Sequence, residues 1–483
     1  MQSDSAPAPS ATLAPSKGIG TLGAVFAAMS YAAPLTLAVT FIPIMIAFGA
    51  GLAAPVMIVI VGVVIGLFSI GFLATVRRLK RSGGFYSIIT AGLGRPIGLG
   101  LGLVATMIYG SILLGAMALI GWSANNLIHG TLGGPDVPWW IYSLVVVVVA
   151  GVLCFRDLAT SAKALGVLVI IELLVVLIYD IAVIVQGGFD GFHAPSFDFF
   201  SSITGTPALA MLFGVFFFGG FESMVIFRDE ARGGEKTILR ATLTFIGICM
   251  VFFAISAFIF IQGVGEQNVV AAAAESPSGS FFDSAEMYLG QAGRVIVSAL
   301  LITSLLAAVV ACHSIVARYL SNFGRDAILP TVLGRIHPRF TSPAVASLVV
   351  SAISLLTLII MVAVGGDPNA FYTVNSGFSG WMFISVISLA GVAVVVYLWR
   401  NGRRWAFILP TAFATLVLLY AAYLAATNLE LLVGSDSFIL ALARILAVAV
   451  VVFGIVYALV LRRTKPDVYR RIGRQEDDPG PIV

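Results

Sequence analysis

The chain has 483 residues, 59% of them hydrophobic and only 10% charged, with a mean hydropathy of +1.05. This composition excludes a soluble globular domain and a disordered chain, and describes a protein that crosses a membrane many times. The formal net charge of +4 is a topology signal, because the basic residues concentrate in alternate loops, and it gives no reason to expect a nucleic-acid partner.

Windows of about 20 apolar residues place twelve spans near 21–47, 54–76, 97–128, 138–155, 163–186, 207–227, 238–262, 293–318, 343–365, 371–398, 404–426 and 437–461. Residues 1–17 are rich in Ser, Ala and Pro and are expected to form a disordered cytoplasmic tail. They lack the basic start and cleavage site of a signal peptide. Residues 462–483, basic and then acidic, are expected to form a second cytoplasmic tail.

The first span carries Ser30, Tyr31, Ala32, Ala33, Pro34, Leu35 and Thr36 at its centre. Proline removes a backbone donor and disturbs the carbonyl four residues earlier, so this span reads either as kinked or as broken around a binding site. After the second span comes a basic, glycine-rich segment, with Arg77, Arg78, Lys80, Arg81, Gly83, Gly84, Phe85 and Tyr86. It suits a short amphipathic helix on the membrane surface as well as a basic loop at the headgroups. The third span holds Gly98, Gly100, Gly102, Gly110 and Gly115, a density that favours close helix packing. Tyr109, among them, is a candidate for both packing and ligand contact.

The fifth span contains Glu172 and, eight residues later, Asp180. That separation is a little over two turns, so both can share one inward face. A carboxylate in lipid is costly and usually functional; Glu172 reads as a coupling group or as a structural hydrogen-bonding group, and Asp180 as a structural or vestibule residue. The sixth span carries Gly214, Val215, Phe216, Phe217, Phe218, Gly219, Gly220, Phe221, Glu222 and Ser223. Two adjacent glycines weaken the helix within the bilayer and a carboxylate follows. A helix broken there must be buried or line a cavity, and its freed ends can hold a ligand; the alternative is a glycine hinge for close helix packing, with Glu222 capping or bridging inside the bundle. Breaks at corresponding places in the first and sixth spans point to an inverted-repeat transporter with its site at the midplane. Further along, the acidic stretch 263–292 is an outer loop or lid. His313, near the end of the eighth span, reads as a packed histidine or a titrating group. The tenth span offers Asn375, Ser376, Gly377, Ser379 and Gly380 as a cavity wall.

With a cytoplasmic N-terminus, 25 of the 27 basic residues fall on the inner side; Arg294 and Arg444 are the exceptions. This bias orients the protein with both termini in the cytoplasm, in the cell's inner membrane. Three scattered cysteines and four scattered histidines form no disulfide or metal pattern, and no nucleotide or nucleophile motif occurs. No enzyme activity, metal or cofactor is expected, and nothing in the sequence requires an oligomer.

The run Phe218, Gly219, Gly220, Phe221, Glu222 resembles the aromatic–x–Gly–x–Glu signature of the amino acid–polyamine–organocation superfamily of secondary transporters. Ala317, Arg318, Tyr319 and Leu320, then Gly324, Arg325, Asp326, Leu329 and Pro330, with Pro343 opening the ninth span, add to the resemblance. So do Gly83, Gly84, Phe85 and Tyr86. It covers roughly residues 18–461. It implies an all-α, LeuT-like polytopic fold of twelve transmembrane helices: a five-plus-five inverted repeat, at about 18–190 and 205–400, with helices 1 and 6 broken and helices 11 and 12, 404–461, peripheral. It further implies that a substrate carboxylate meets backbone donors from Ala32 to Leu35, flanked by Ser30 and Thr36. The substrate's ammonium would meet carbonyls from Phe216 to Gly219, with Phe216 closing over it and Phe218 nearby. Many relatives read Gly–Ser/Ala–Gly where this chain has Ala32, Ala33, Pro34 and Leu35. Some place a lysine where this chain has Glu172, so a fixed-cation mechanism does not carry over.

The expected function is uptake of an amino acid or related small amine by alternating access, coupled to protons, with Glu222 the first and Glu172 the second candidate for the titrating or gate-coupling carboxylate. An amine or polyamine permease, or an exchanger, on the same fold is the alternative. A channel or sensor on a transporter scaffold is a third reading.

Overall fold

The computed structural model describes residues 20–79, 84–156, 162–191, 205–222, 235–340, 342–430 and 437–473. The expected N-terminal tail, the charged loop after Glu222 and residues 474–483 therefore lie outside the described residues. Among those described, the elements are helical and no strand occurs. Nine stretches are long and apolar enough to cross a bilayer, the first, Pro34–Val76, running through spans 1 and 2; Trp139–Phe155 is a shorter apolar helix.

Span 1 begins as helix Thr21–Ala32, stops at Ala33, and resumes at Pro34. Beyond the break it continues in widened π-helical turns over Leu37–Phe41 and Met45–Ala50. Span 2 is Ala54–Val76, span 3 Arg95–Asn125 with a π-turn over Asn126–Thr131, and span 5 Ala162–Gln186. Among its described residues, span 6 is helical over Pro207–Phe216. Span 7 is Glu235–Val264, span 9 Ala344–Ala363, span 10 Pro368–Arg400, span 11 Trp405–Thr427 and span 12 Ser437–Thr464. Span 8 belongs to Pro277–Arg325, which is interrupted at Gly290 (φ 70°, ψ −176°). Its first segment, with the helix Val269–Glu275, gives the acidic stretch a folded form. There Arg294 pairs with Asp283 at 2.6 Å and Glu286 at 2.9 Å, which accounts for one of the two misplaced basic residues.

Span 3 is the hub, packing most extensively on spans 10 and 8 and then on span 12. In lipid, exchanging apolar surroundings for apolar neighbours gives little hydrophobic gain, so helix association rests on close packing. The glycines of span 3 provide it. A Cβ at Gly98 would run into the Thr90 hydroxyl, and one at Gly102 would stand 2.8 Å from the Tyr86 ring. Thr90 and Tyr86 belong to the short helix Phe85–Leu93, whose Phe85, Ile88 and Ile89 are buried. This helix packs between spans 3 and 10, so it is part of the bundle and neither a surface helix nor a headgroup loop. The basic residues before the helix dominate the local sequence pattern and conceal this placement.

The beginning of the expected C-terminal tail is also folded. Pro466–Arg471 is a short helix, Ile472 is buried with Tyr86, Leu99 and Phe323, and Gly473 N–H donates to the Tyr86 hydroxyl at 2.8 Å.

Candidate functional site

The break in span 1 rests on one residue. Ala33 adopts φ 51°, ψ 71°, in the left-handed region, and its N–H closes the preceding helix on Met29 O at 3.2 Å. Pro34, next, has no N–H to give. The first donor of the resumed helix is therefore Leu35 N–H, and the Glu172 carboxylate accepts it at 3.1 Å. Ser304 of span 8 hydrogen-bonds the same carboxyl group, and its hydroxyl accepts from Thr36 at 3.0 Å. Glu172 is 1% exposed. Spans 1, 5 and 8 thus meet at one carboxylate on the N-terminal end of a half-helix, where negative charge is favoured.

Span 5 reaches this point because of its periodicity. Val169, Glu172, Val176, Tyr179, Asp180 and Val183 are buried, while Ile170, Ile171, Leu174, Leu177, Ile178 and Ile181 are exposed. Glu172 and Asp180 share the inward face, as their spacing requires. The Ser256 hydroxyl of span 7 donates to Asp180 Oδ2 at 2.7 Å, and Tyr179 bonds Ser284 at 2.7 Å.

The break in span 6 follows Phe216. The N–H groups of Phe217, Phe218, Gly219 and Phe221 all bond back three residues, to Gly214, Val215, Phe216 and Phe218, so a tight series of turns replaces the α-helix. Gly220 has φ 102°, a conformation open to glycine and costly for other residues. This turns its N–H onto Glu222 Oε2 at 3.1 Å, while the Tyr109 hydroxyl of span 3 donates to Oε1 at 3.1 Å. The Tyr109 ring stacks at 6.3 Å on Tyr319 of span 8. Glu222 is 5% exposed. Glu172 and Glu222 have separate sets of partners.

Spans 1 and 6 touch through aromatic rings. Phe216 lies 4.9 Å from Phe41 of span 1 and stacks at 5.8 Å on Phe383 of span 10. Phe218 instead sends its ring to Gly62 of span 2, where a Cβ would meet it at 2.9 Å. It is fully buried, away from the Phe216 stack. Gly219 N–H closes a turn on Phe216 O at 3.0 Å. Ala32 is the last residue of the first half-helix. Ser30 is in that helix, and its side chain lies outside the described residues. The Ser111 hydroxyl donates to Asn375 Oδ1 at 2.7 Å, tying span 3 to the polar part of span 10. His313 Nε2 shares a 2.9 Å hydrogen bond with the Ser347 hydroxyl, a packed histidine bonded to a side chain.

Sequence reasoning did not single out Ser304, Phe41 or Phe383. All three are ordinary span residues whose facing is set by packing, and their only signal was position one or two turns from a polar or glycine-rich stretch. Tyr319 was visible only as part of a motif.

The amino acid permease family model matches residues 19–453. The chain belongs to the amino acid permease family. It is similar to the low-affinity putrescine importer PlaP of Escherichia coli, at 24% identity over 60% of this chain and 69% of that one. It is also similar to two Lactococcus lactis proteins. The branched-chain amino acid permease BcaP is 26% identical over 49% of this chain and 52% of its own. The lysine-specific permease LysP is 25% identical over 56% and 54%. These relatives are permeases and not enzymes. Among solved structures, two single-residue mutants of the Eremococcus coleocola manganese transporter match 94% of this chain and 95% of theirs. Their TM-scores are 0.55 and 0.56 at 13% and 14% identity. That likeness shows the fold, the LeuT-like transporter fold, and nothing about cargo. Among the described residues no three His, Cys, Asp or Glu side chains gather as a metal site needs.

Proposed function

We propose that this permease is a secondary active transporter that imports an amino acid or related small amine across the cytoplasmic membrane by alternating access, coupled to protons. Both termini and the basic loops face the cytoplasm in this reading. The observation that carries it is Glu222, a buried carboxylate in the span 6 break, held by the Tyr109 hydroxyl and by the backbone N–H groups of Gly220 and of Glu222 itself. Ionisable groups inside membranes pair with one another or take part in ion and proton pathways. The Tyr109 hydroxyl ties the group to span 3 while backbone donors hold it within the span 6 break, which gives the charged carboxylate a reason to favour one arrangement of the two spans. When protonated it accepts less well and that preference weakens, which couples its charge to the conformation of the break.

The relatives' names span putrescine, branched-chain amino acids and lysine, which supports a small amine or amino acid as cargo. Uptake into proteoliposomes under an acid-outside pH gradient tests the reading. Accumulation should follow the gradient in the native protein, and Glu222→Gln should abolish the pH drive while leaving exchange of substrate across the membrane. Gradient-driven accumulation unchanged in that variant would remove Glu222 from the mechanism.

A further inference from the structure

We infer that the cargo is an amine without a neighbouring carboxylate, because the Glu172 carboxylate already occupies the helix start at which a substrate carboxylate would dock. This rests on the transporter reading above and narrows it to one substrate class.

The first observation is donor accounting at the span 1 break. A half-helix N-terminus is an anion site because its first amides point at the ligand. Here Pro34 contributes no amide, Leu37 N–H returns to Ala33 O at 3.2 Å, and Leu35 N–H, the first amide of the resumed helix, is on Glu172 at 3.1 Å, with Thr36 N–H the one other amide of that turn. Thr36 turns its hydroxyl to Ser304, which serves the same carboxyl group. An amino acid entering this position would bring a second carboxylate against Glu172 and compete for the same amide.

The second is the sign of the buried charge. The buried carboxylates and imidazole among the described residues are Glu172, Asp180, Glu222, Asp326 and His313, of which Glu172 and Glu222 stand at the breaks. Four are carboxylates, and no lysine or arginine is buried with them. Buried charge needs a counter-charge or a proton. An ammonium supplies the counter-charge; a zwitterion adds another anion for which the interior, among the described residues, holds no buried lysine or arginine.

The third is the aromatic cluster beside the breaks. Phe216 packs on Phe41 and Phe383, and a ring of such a cluster that turned toward cargo would attract an ammonium and not a carboxylate.

The test compares decarboxylated pairs on the purified full-length protein: putrescine against ornithine, cadaverine against lysine, and isoamylamine against leucine. Binding is read by melting temperature and by titration calorimetry. In the native protein the favoured amine should bind at least about tenfold more tightly than its amino acid, a modest outcome for two like charges competing at one buried site. Glu172→Gln should close that gap, chiefly by improving binding of the amino acid. The native comparison stands even if this variant folds poorly. Equal or tighter binding of the amino acid by the native protein overturns the inference and leaves the transporter reading intact. Binding of no member of either set, with no uptake of any of them into proteoliposomes, overturns the transporter reading and the inference with it.

Discussion

Two residues set the breaks in spans 1 and 6, and they stand in opposite relation to their backbone. Ala33 carries a side chain in the left-handed region at φ 51°, which costs about 1–2 kcal/mol. Gly220, at φ 102°, carries no such penalty. The Ala33→Gly variant should therefore be more thermostable, and Gly220→Ala less stable by about 1–3 kcal/mol. The second should also lose pH-driven uptake, since the Gly220 N–H would leave Glu222. Melting temperatures of the purified variants check both; a Gly220→Ala protein that melts and transports like the native one would show that the turn is not constrained as described. The pair was only half legible in the sequence. Adjacent glycines before a carboxylate announce a break, whereas an alanine in a left-handed conformation leaves no trace except the proline that follows it.

At the scale of elements, periodicity carried further than surface pattern. Span 5 places Glu172 and Asp180 inward because their spacing is helical, which can be counted along the chain. The helix Phe85–Leu93 shows the reverse. A short helix was one of two readings of this stretch, and its burial depends on the glycines of span 3 and on Ala393 of span 10, whose carbonyl would collide with a Cβ at Gly92. A direct check compares two glycines of span 3. Gly98 seats against Thr90, backbone included at 2.9 Å, while a Cβ at Gly110 meets nothing within 4 Å. Gly98→Ala should lower the melting temperature clearly. Gly110→Ala should be neutral or stabilising, by up to about 1 kcal/mol from helix propensity. Equal effects would mean that span 3 glycines do not set the packing of the short helix.

For the whole molecule, the charge bias predicts sidedness. Glu275 and Arg400 are both exposed, at opposite ends of the expected topology, and all three native cysteines are buried. In a background with those cysteines replaced, Glu275→Cys should react with a membrane-impermeant thiol reagent on intact cells. Arg400→Cys should react only after permeabilisation. The reversed pattern would invert the orientation. The Arg294 pairing with Asp283 and Glu286 explains why a basic residue on the acidic side does not disturb the bias.

The sequence by itself determined the class of protein, the two breaks, and which carboxylates lie within apolar spans. Those follow from local chemistry: hydropathy over a bilayer's thickness, a missing donor at proline, and the cost of a charge in lipid. Only the tertiary structure decided the partners. That Glu172 sits on Leu35 N–H and not beside Glu222, that Tyr109 serves Glu222, and that Phe216 stacks on Phe383 and lies against Phe41 while Phe218 turns to Gly62 are all contacts between distant spans. They depend on which face of each helix meets which neighbour. In a chain apolar on nearly every face, hydrophobic pattern cannot specify that, and the fit of small residues against rings and backbone does.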